Sequence, residues 1–243
     1  MENNGEAVFI VYNSSEFVQS MCFGLALNNY DLVLLTHPEK DVDVFMESIK
    51  MRYDVSVQQL KVDFHEPNSS NVVWKWCKYR KVLFRNLVVG FELEIDQLQQ
   101  MTSIAEIRTK QIKYNLGLVD LIYALLTQSA SGKKKRLMMI SDPLTQTDSV
   151  DFVRYSTCRE FVKSFATVLD KELDEYNSQL VTMCMNLDLY HRDSKLDSSE
   201  RSINYLRGCK DKLALKAIEC LLENRSTYIN TVEDAKELVG EDD

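Results

Sequence analysis

The sequence predicts an α/β fold built on a doubly wound parallel sheet in a single domain. Three observations carry the prediction. Short continuous apolar runs, such as Ala7-Val-Phe-Ile-Val-Tyr12 and Asp31-Leu-Val-Leu-Leu-Thr36, lack the alternation of a half-exposed strand. Strands covered on both faces read that way. Helix-length amphipathic segments separate these runs, so strand and helix alternate along the chain. Only 7 glycines and 3 prolines interrupt 243 residues, which favours long elements and short connections.

Taken in order, the apolar run 7–12 is the first strand, and helical spacing follows over 16–28. The second run, 31–36, leads through a helix at 41–52 to a third strand at 57–63. A helix near 70–79 carries both tryptophans, and the run 82–89 is the fourth strand. A long helix over 104–128 precedes a strand at 136–141. A second long helix, 150–173, precedes a strand at 179–185. Helices near 199–208 and 212–223 and a short strand at 226–230 complete the pattern. Right-handed crossovers turn such an order into a Rossmann-like sheet, with ligands expected beyond the strand C-termini. The expected division is a polar lead 1–6, a core domain 7–190, a helical extension of it 191–236 and an acidic tail 237–243.

The formal charge of −8 argues against general affinity for nucleic acid or anionic membrane. The one basic run, Lys133-Lys134-Lys135-Arg136, reads as a solvated turn before a strand. No apolar stretch approaches the ~18 residues a membrane span needs. The leading residues, Met-Glu-Asn-Asn-Gly-Glu, have neither the charge nor the apolar core of a targeting peptide. The 6 cysteines are scattered with no CxxC pair, so reduced, buried thiols are expected and a metal site is not. A cytoplasmic location is the expectation.

The most informative stretch is Tyr155-Ser-Thr-Cys-Arg159, at the opening of the second long helix. A phenol and a cation four apart lie one helical turn from each other. A neighbouring positive charge lowers a phenol's pKa and suits it to general acid/base work. The arrangement resembles the Tyr-x-x-x-Lys centre of the short-chain dehydrogenases/reductases, nearest in pattern to their hydroxysteroid and 3-ketoacyl reductase branch. The resemblance spans roughly residues 7–190.

It implies a set of further positions, many of which have changed. The family's glycine-rich phosphate turn falls on Tyr12-Asn-Ser-Ser-Glu-Phe-Val-Gln19, where Asn13, Phe17 and Gln19 stand for the glycines. Asn13 tolerates a left-handed backbone. Phe17 either fills the phosphate space or belongs to the helix core, the second being favoured. Glu16 adds a repelling carboxylate. Thr36, His37 and Lys40 occupy the zone that selects between NAD and NADP. Asp63 matches the aspartate that contacts adenine, and is equally a turn residue. Of the Asn-Asn-Ala-Gly end of the fourth strand only Gly90 remains. Asn115 falls on the catalytic asparagine, with a helix kink as the competing reading. Counting back from Tyr155 puts Asp142 at the catalytic serine, with Ser141 beside it. An ionised Asp142 would repel the oxyanion that carbonyl reduction creates. Arg159 keeps a positive charge but cannot serve as a relay ammonium. Lys163, a further turn on, has drifted about 80° around the helix. The Pro-Gly after the sixth strand is replaced by Met185-Asn186-Leu187.

The changes fall on chemistry-bearing positions while the strand pattern is kept. The resemblance therefore implies a pseudoenzyme that binds or assembles, with Tyr155, Arg159, Asn115, Ser141 and Asp142 as vestigial catalytic positions. Asn13, Asp63 and Gly90 are the vestigial cofactor positions, and no cofactor is expected. The alternative is a divergent NAD(P)-dependent oxidoreductase acting on a lipid-like or steroid-like carbonyl or alcohol. Family members pair through the two long helices, here 104–128 and 150–173. Ile107, Ile112, Leu116, Val119, Ile122 and Tyr123 make one apolar stripe and Phe152, Phe161, Val162, Phe165 and Val168 another; each covers the sheet, or implies a homo- or hetero-oligomer if a second face is exposed.

Overall fold

The computed structural model of the chain describes residues 6–13, 15–90, 104–128, 135–141, 161–162, 164–169, 171, 180–186, 211–223, 227–229, 236–237 and 239–240. Among the described residues, seven strands form one sheet: β1 (Ala7–Val11), β2 (Asp31–Thr36), β3 (Val57–Lys61), β4 (Asn86–Gly90), β5 (Lys135–Ser141), β6 (Leu180–Asn186) and β7 (Thr227–Ile229). Their spatial order is β3-β2-β1-β4-β5-β6-β7. Every pairing is parallel. The chain thus winds outward from β1 to β3, returns, and winds out the other way from β4. The seam between β1 and β4 is the topological switch point, where this class of sheet opens a crevice at the strand C-termini.

Among the described residues, the helices include α1 (Glu16–Leu27), α2 (Asp43–Lys50), α3 (Ser69–Arg80) and α4 (Ile104–Gln128), and residues 161–162 and 164–169 are helical. A further helix spans 211–222. Period-2 alternation splits each strand between two cores. Val8, Ile10, Leu32, Leu34, Val88, Met138 and Ile140 face α1, α2 and the helix at 211–222. Phe9, Val11, Val33, Leu35, Leu87, Val89, Leu137 and Met139 face α3 and α4. On that second face Phe9 meets the edges of Phe84 at 4.9 Å and Trp76 at 6.0 Å.

Several boundaries differ from the sequence expectation, each for a local reason. β4 begins at Asn86 rather than at residue 82. Lys81 closes α3 in a left-handed conformation, and the Val82 amide donates back to the Cys77 carbonyl. The segment before β4 therefore completes a helix cap before it can pair. α2 starts at Asp43, because the Asp41 side chain accepts from the Asp43 amide and holds the preceding residues in a turn. β3 stops at Lys61 rather than at residue 63, which leaves Asp63 in the turn beyond it.

Cys22, Cys77 and Cys220 are buried and form no disulfide. Burial pushes the Cys77 thiol up to about 12 and drives Cys22 up as well. Among the described residues no helix is long and apolar enough to cross a membrane.

Candidate functional site

The crevice is built from the turns after β1, β2 and β3 and from the end of β4 at Gly90, with α4 beside them. The turn after β1 carries the side chains of Asn13 and Ser15. The Asn13 carboxamide oxygen accepts from the Ser15 amide at 3.2 Å. Its Nδ2 lies 2.9 Å from where a Cβ on Gly90 would stand. Asn13 and Gly90 thus pack closely and meet across the switch point. Ser15 caps α1, its hydroxyl accepting from the Val18 amide at 3.2 Å. Glu16, exposed in the first turn, places a carboxylate at the positive end of the helix dipole. Phe17 is 1% exposed, a core residue of α1, as the favoured reading had it.

The turns after β2 and β3 bring together His37, Asp63 and His65. The Asp63 carboxylate accepts the His65 amide at 2.9 Å and meets His65 Nδ1 at 2.8 Å. His37 Nε2 approaches its other oxygen at 3.8 Å. Burial alone would raise the Asp63 pKa, but the His65 amide, the His65 ring and nearby His37 overcome it. The net effect holds the carboxyl below its ordinary value. Thr36 and Gln59 brace this corner: the Gln59 amide donates to the Thr36 hydroxyl at 2.8 Å and to the Lys40 carbonyl at 2.9 Å.

α4 closes the third side. The Tyr114 hydroxyl donates to the Gly90 carbonyl at 3.4 Å, and its ring lies 5.6 Å from that of His65 and 6.1 Å from Phe64. Asn115 is half-buried, and its side-chain oxygen accepts from Gln111 one turn earlier at 2.8 Å. The helix runs unbroken through it. Ser141 ends β5 and is in register with Asn186 of β6. Asp142, Tyr155 and Arg159 lie outside the described residues. A separate open groove of about 510 Å³ lies between α1 and α2, lined by Tyr12, Gln19, Phe23, Lys40 and Phe45 among others.

The structure therefore unites Asn13 with Gly90, and Asp63 with two histidines, along one crevice. Sequence reasoning noted His37 and Asp63 separately and missed His65. The available signal was Asp63-Phe-His65, whose spacing of two directs both side chains the same way in extended chain. That signal acquires meaning only with the β2–β3 register, which pairs Thr36 with Lys61 and sets both turns at one level.

No protein-family profile and no curated protein sequence matches the chain. Solved structures do. A metagenomic short-chain oxidoreductase in complex with NADP superposes with a TM-score of 0.64 at 14% identity, covering 93% of this chain and 95% of that one. A 7β-hydroxysteroid dehydrogenase gives a TM-score of 0.62 at 12% identity, covering 98% and 97%. A short-chain dehydrogenase from Sphingobium yanoikuyae, in complex with NADPH, gives 0.62 at 16% identity, covering 93% and 87%. Together with the strand order and the switch point, these matches establish that the chain has the fold of the short-chain dehydrogenases/reductases.

Proposed function

We propose that this protein uses the short-chain dehydrogenase/reductase fold for binding or assembly rather than for hydride transfer. The observation that carries the reading is the turn after β1. Dinucleotide sites of this fold class need bare backbone there, so that the pyrophosphate can reach the helix N-terminus. Here the Asn13 carboxamide is packed against Gly90, Ser15 occupies the cap and Glu16 sits in the first turn. The changed positions Asp142 and Arg159 point the same way from sequence. Reduced, buried thiols fit a cytoplasmic setting.

A divergent NAD(P)-dependent oxidoreductase is the second reading. It is favoured by Asp63 at the crevice and by the NADP and NADPH held in two of the similar structures. Titration with NADH and NADPH, followed by reduced-cofactor fluorescence and melting temperature, separates the two. The expected result is no response at millimolar cofactor. Micromolar binding of either overturns the leading reading, and loss of carbonyl reduction in Tyr155→Phe would then establish the second.

Assembly through α4 is part of the proposal. Leu118, Leu121, Ile122 and Leu125 are buried against the sheet. Ile112, Leu116 and Tyr123 are 60%, 58% and 65% exposed on the opposite side, and Val168 is exposed at 58%. A second apolar stripe on a helix already seated by its first suits a partner helix. Sedimentation at micromolar concentration is expected to show a dimer, with Leu116→Asp shifting it to monomer. A wild-type monomer would remove this part.

A further inference from the structure

We propose that His37, Asp63 and His65 form a binding site for a divalent transition-metal cation of the zinc type. Each residue can offer one ligand atom such that all three lie within 4.8 Å of one another. Two imidazoles and one carboxylate are a donor set that Zn²⁺, Co²⁺ and Fe²⁺ accept, with coordination positions left open. Around a tetrahedral ion with bonds near 2.0–2.1 Å, ligand atoms stand about 3.3 Å apart. The His65 Nδ1 to Asp63 distance of 2.8 Å and the His37 Nε2 to Asp63 distance of 3.8 Å bracket that spacing.

Two of the three groups are held in place. Asp63 and His65 share one turn closed by the His65 amide, and the His65 ring lies against Tyr114. The third, His37, follows the end of β2 and has a side chain 25% exposed, so it can close the remaining gap by side-chain rotation. Its Nδ1 faces the Glu39 amide at 3.4 Å, which leaves Nε2 directed at Asp63. Binding at Nε2 moves the ring proton to Nδ1 and gives up that long contact. The Glu39 amide is exposed, so water replaces it at small cost.

The site stands apart from the helix surfaces proposed for assembly and from the turn after β1. Its success or failure therefore leaves the proposed function untouched. The test uses full-length protein stripped with chelator, titrated with ZnCl₂ by calorimetry and with CoCl₂ by visible absorption. One equivalent of Co²⁺ with ligand-field bands is expected, together with a rise in melting temperature on Zn²⁺ addition. His37→Ala, on the partly exposed loop, should weaken Zn²⁺ at least about tenfold. His191→Ala should leave it unchanged, which separates this cluster from adventitious binding at the chain's remaining histidine. Absence of Co²⁺ bands in the wild type, or equal affinity in wild type and His37→Ala, overturns the proposal.

Discussion

Replacing Gly117 by alanine is expected to destabilise the protein by about 2 kcal/mol net, although alanine is the better helix former. The added Cβ would collide with the Phe64 carbonyl oxygen and lie 3.0 Å from its carbonyl carbon and 3.2 Å from its Cα. All three are backbone atoms, so no side chain can swing aside. Overpacking of this kind costs on the order of 3 kcal/mol, against about 1 kcal/mol of helix propensity gained. α4 and the turn after β3 must separate, and the tyrosine and histidine that pack across that contact separate with them. Urea denaturation followed by circular dichroism measures the change. A stabilised Gly117→Ala, as at an open helical glycine, would mean that α4 does not rest on Phe64.

Truncating Glu6 to alanine is expected to cost about 2–3 kcal/mol, below the 3–5 of a fully buried pair because Glu6 itself keeps contact with water. Its carboxylate joins Arg85 at 2.8 Å and Arg136 at 3.4 Å, and its side chain is 31% exposed. The two arginine side chains are only 9% and 16% exposed, so removing the carboxylate leaves two confined positive charges facing each other. Arg136 also donates to the Asn86 side-chain oxygen at 3.3 Å, and Asn86 Nδ2 donates to the Ala7 carbonyl at 3.2 Å. The charge cluster thus clamps the N-terminal ends of β1, β4 and β5, the strands that flank the switch point. Glu6→Gln, which keeps an acceptor, should lose less. The same denaturation experiment reads both variants. A change within about 0.5 kcal/mol, the range of an ordinary surface substitution, would show that the arginines are solvated without Glu6.

Both variants turn on contacts between residues far apart in the chain, and neither was visible in the sequence. Gly117 reads there as a mild flaw in a long helix, and Glu6 as part of a polar lead. The fold was legible because buried parallel strands write themselves as apolar runs, and the helices between them supply the alternation. Strands β1, β2, β5 and β6 fall within a residue or so of their expected places. β4 did not, since the apolar residues Val82–Phe84 satisfy the run pattern while serving a helix cap and packing on Phe9.

The candidate site was legible only in part. Asn13, Gly90 and Asp63 were picked out singly, from a family resemblance and from turn chemistry. That Asn13 packs against Gly90 follows from β1 lying beside β4, which are some eighty residues apart in sequence. The gathering of His37 and His65 around Asp63 likewise follows from the register of β2 on β3. Hydrophobic periodicity is a local property, so the sequence by itself determined which segments are strands and helices, and hence the class of sheet. Side-chain chemistry at the crevice depends on strand order, register and helix seating. Those are set by long-range packing, and only the tertiary structure decided which charged and polar groups meet.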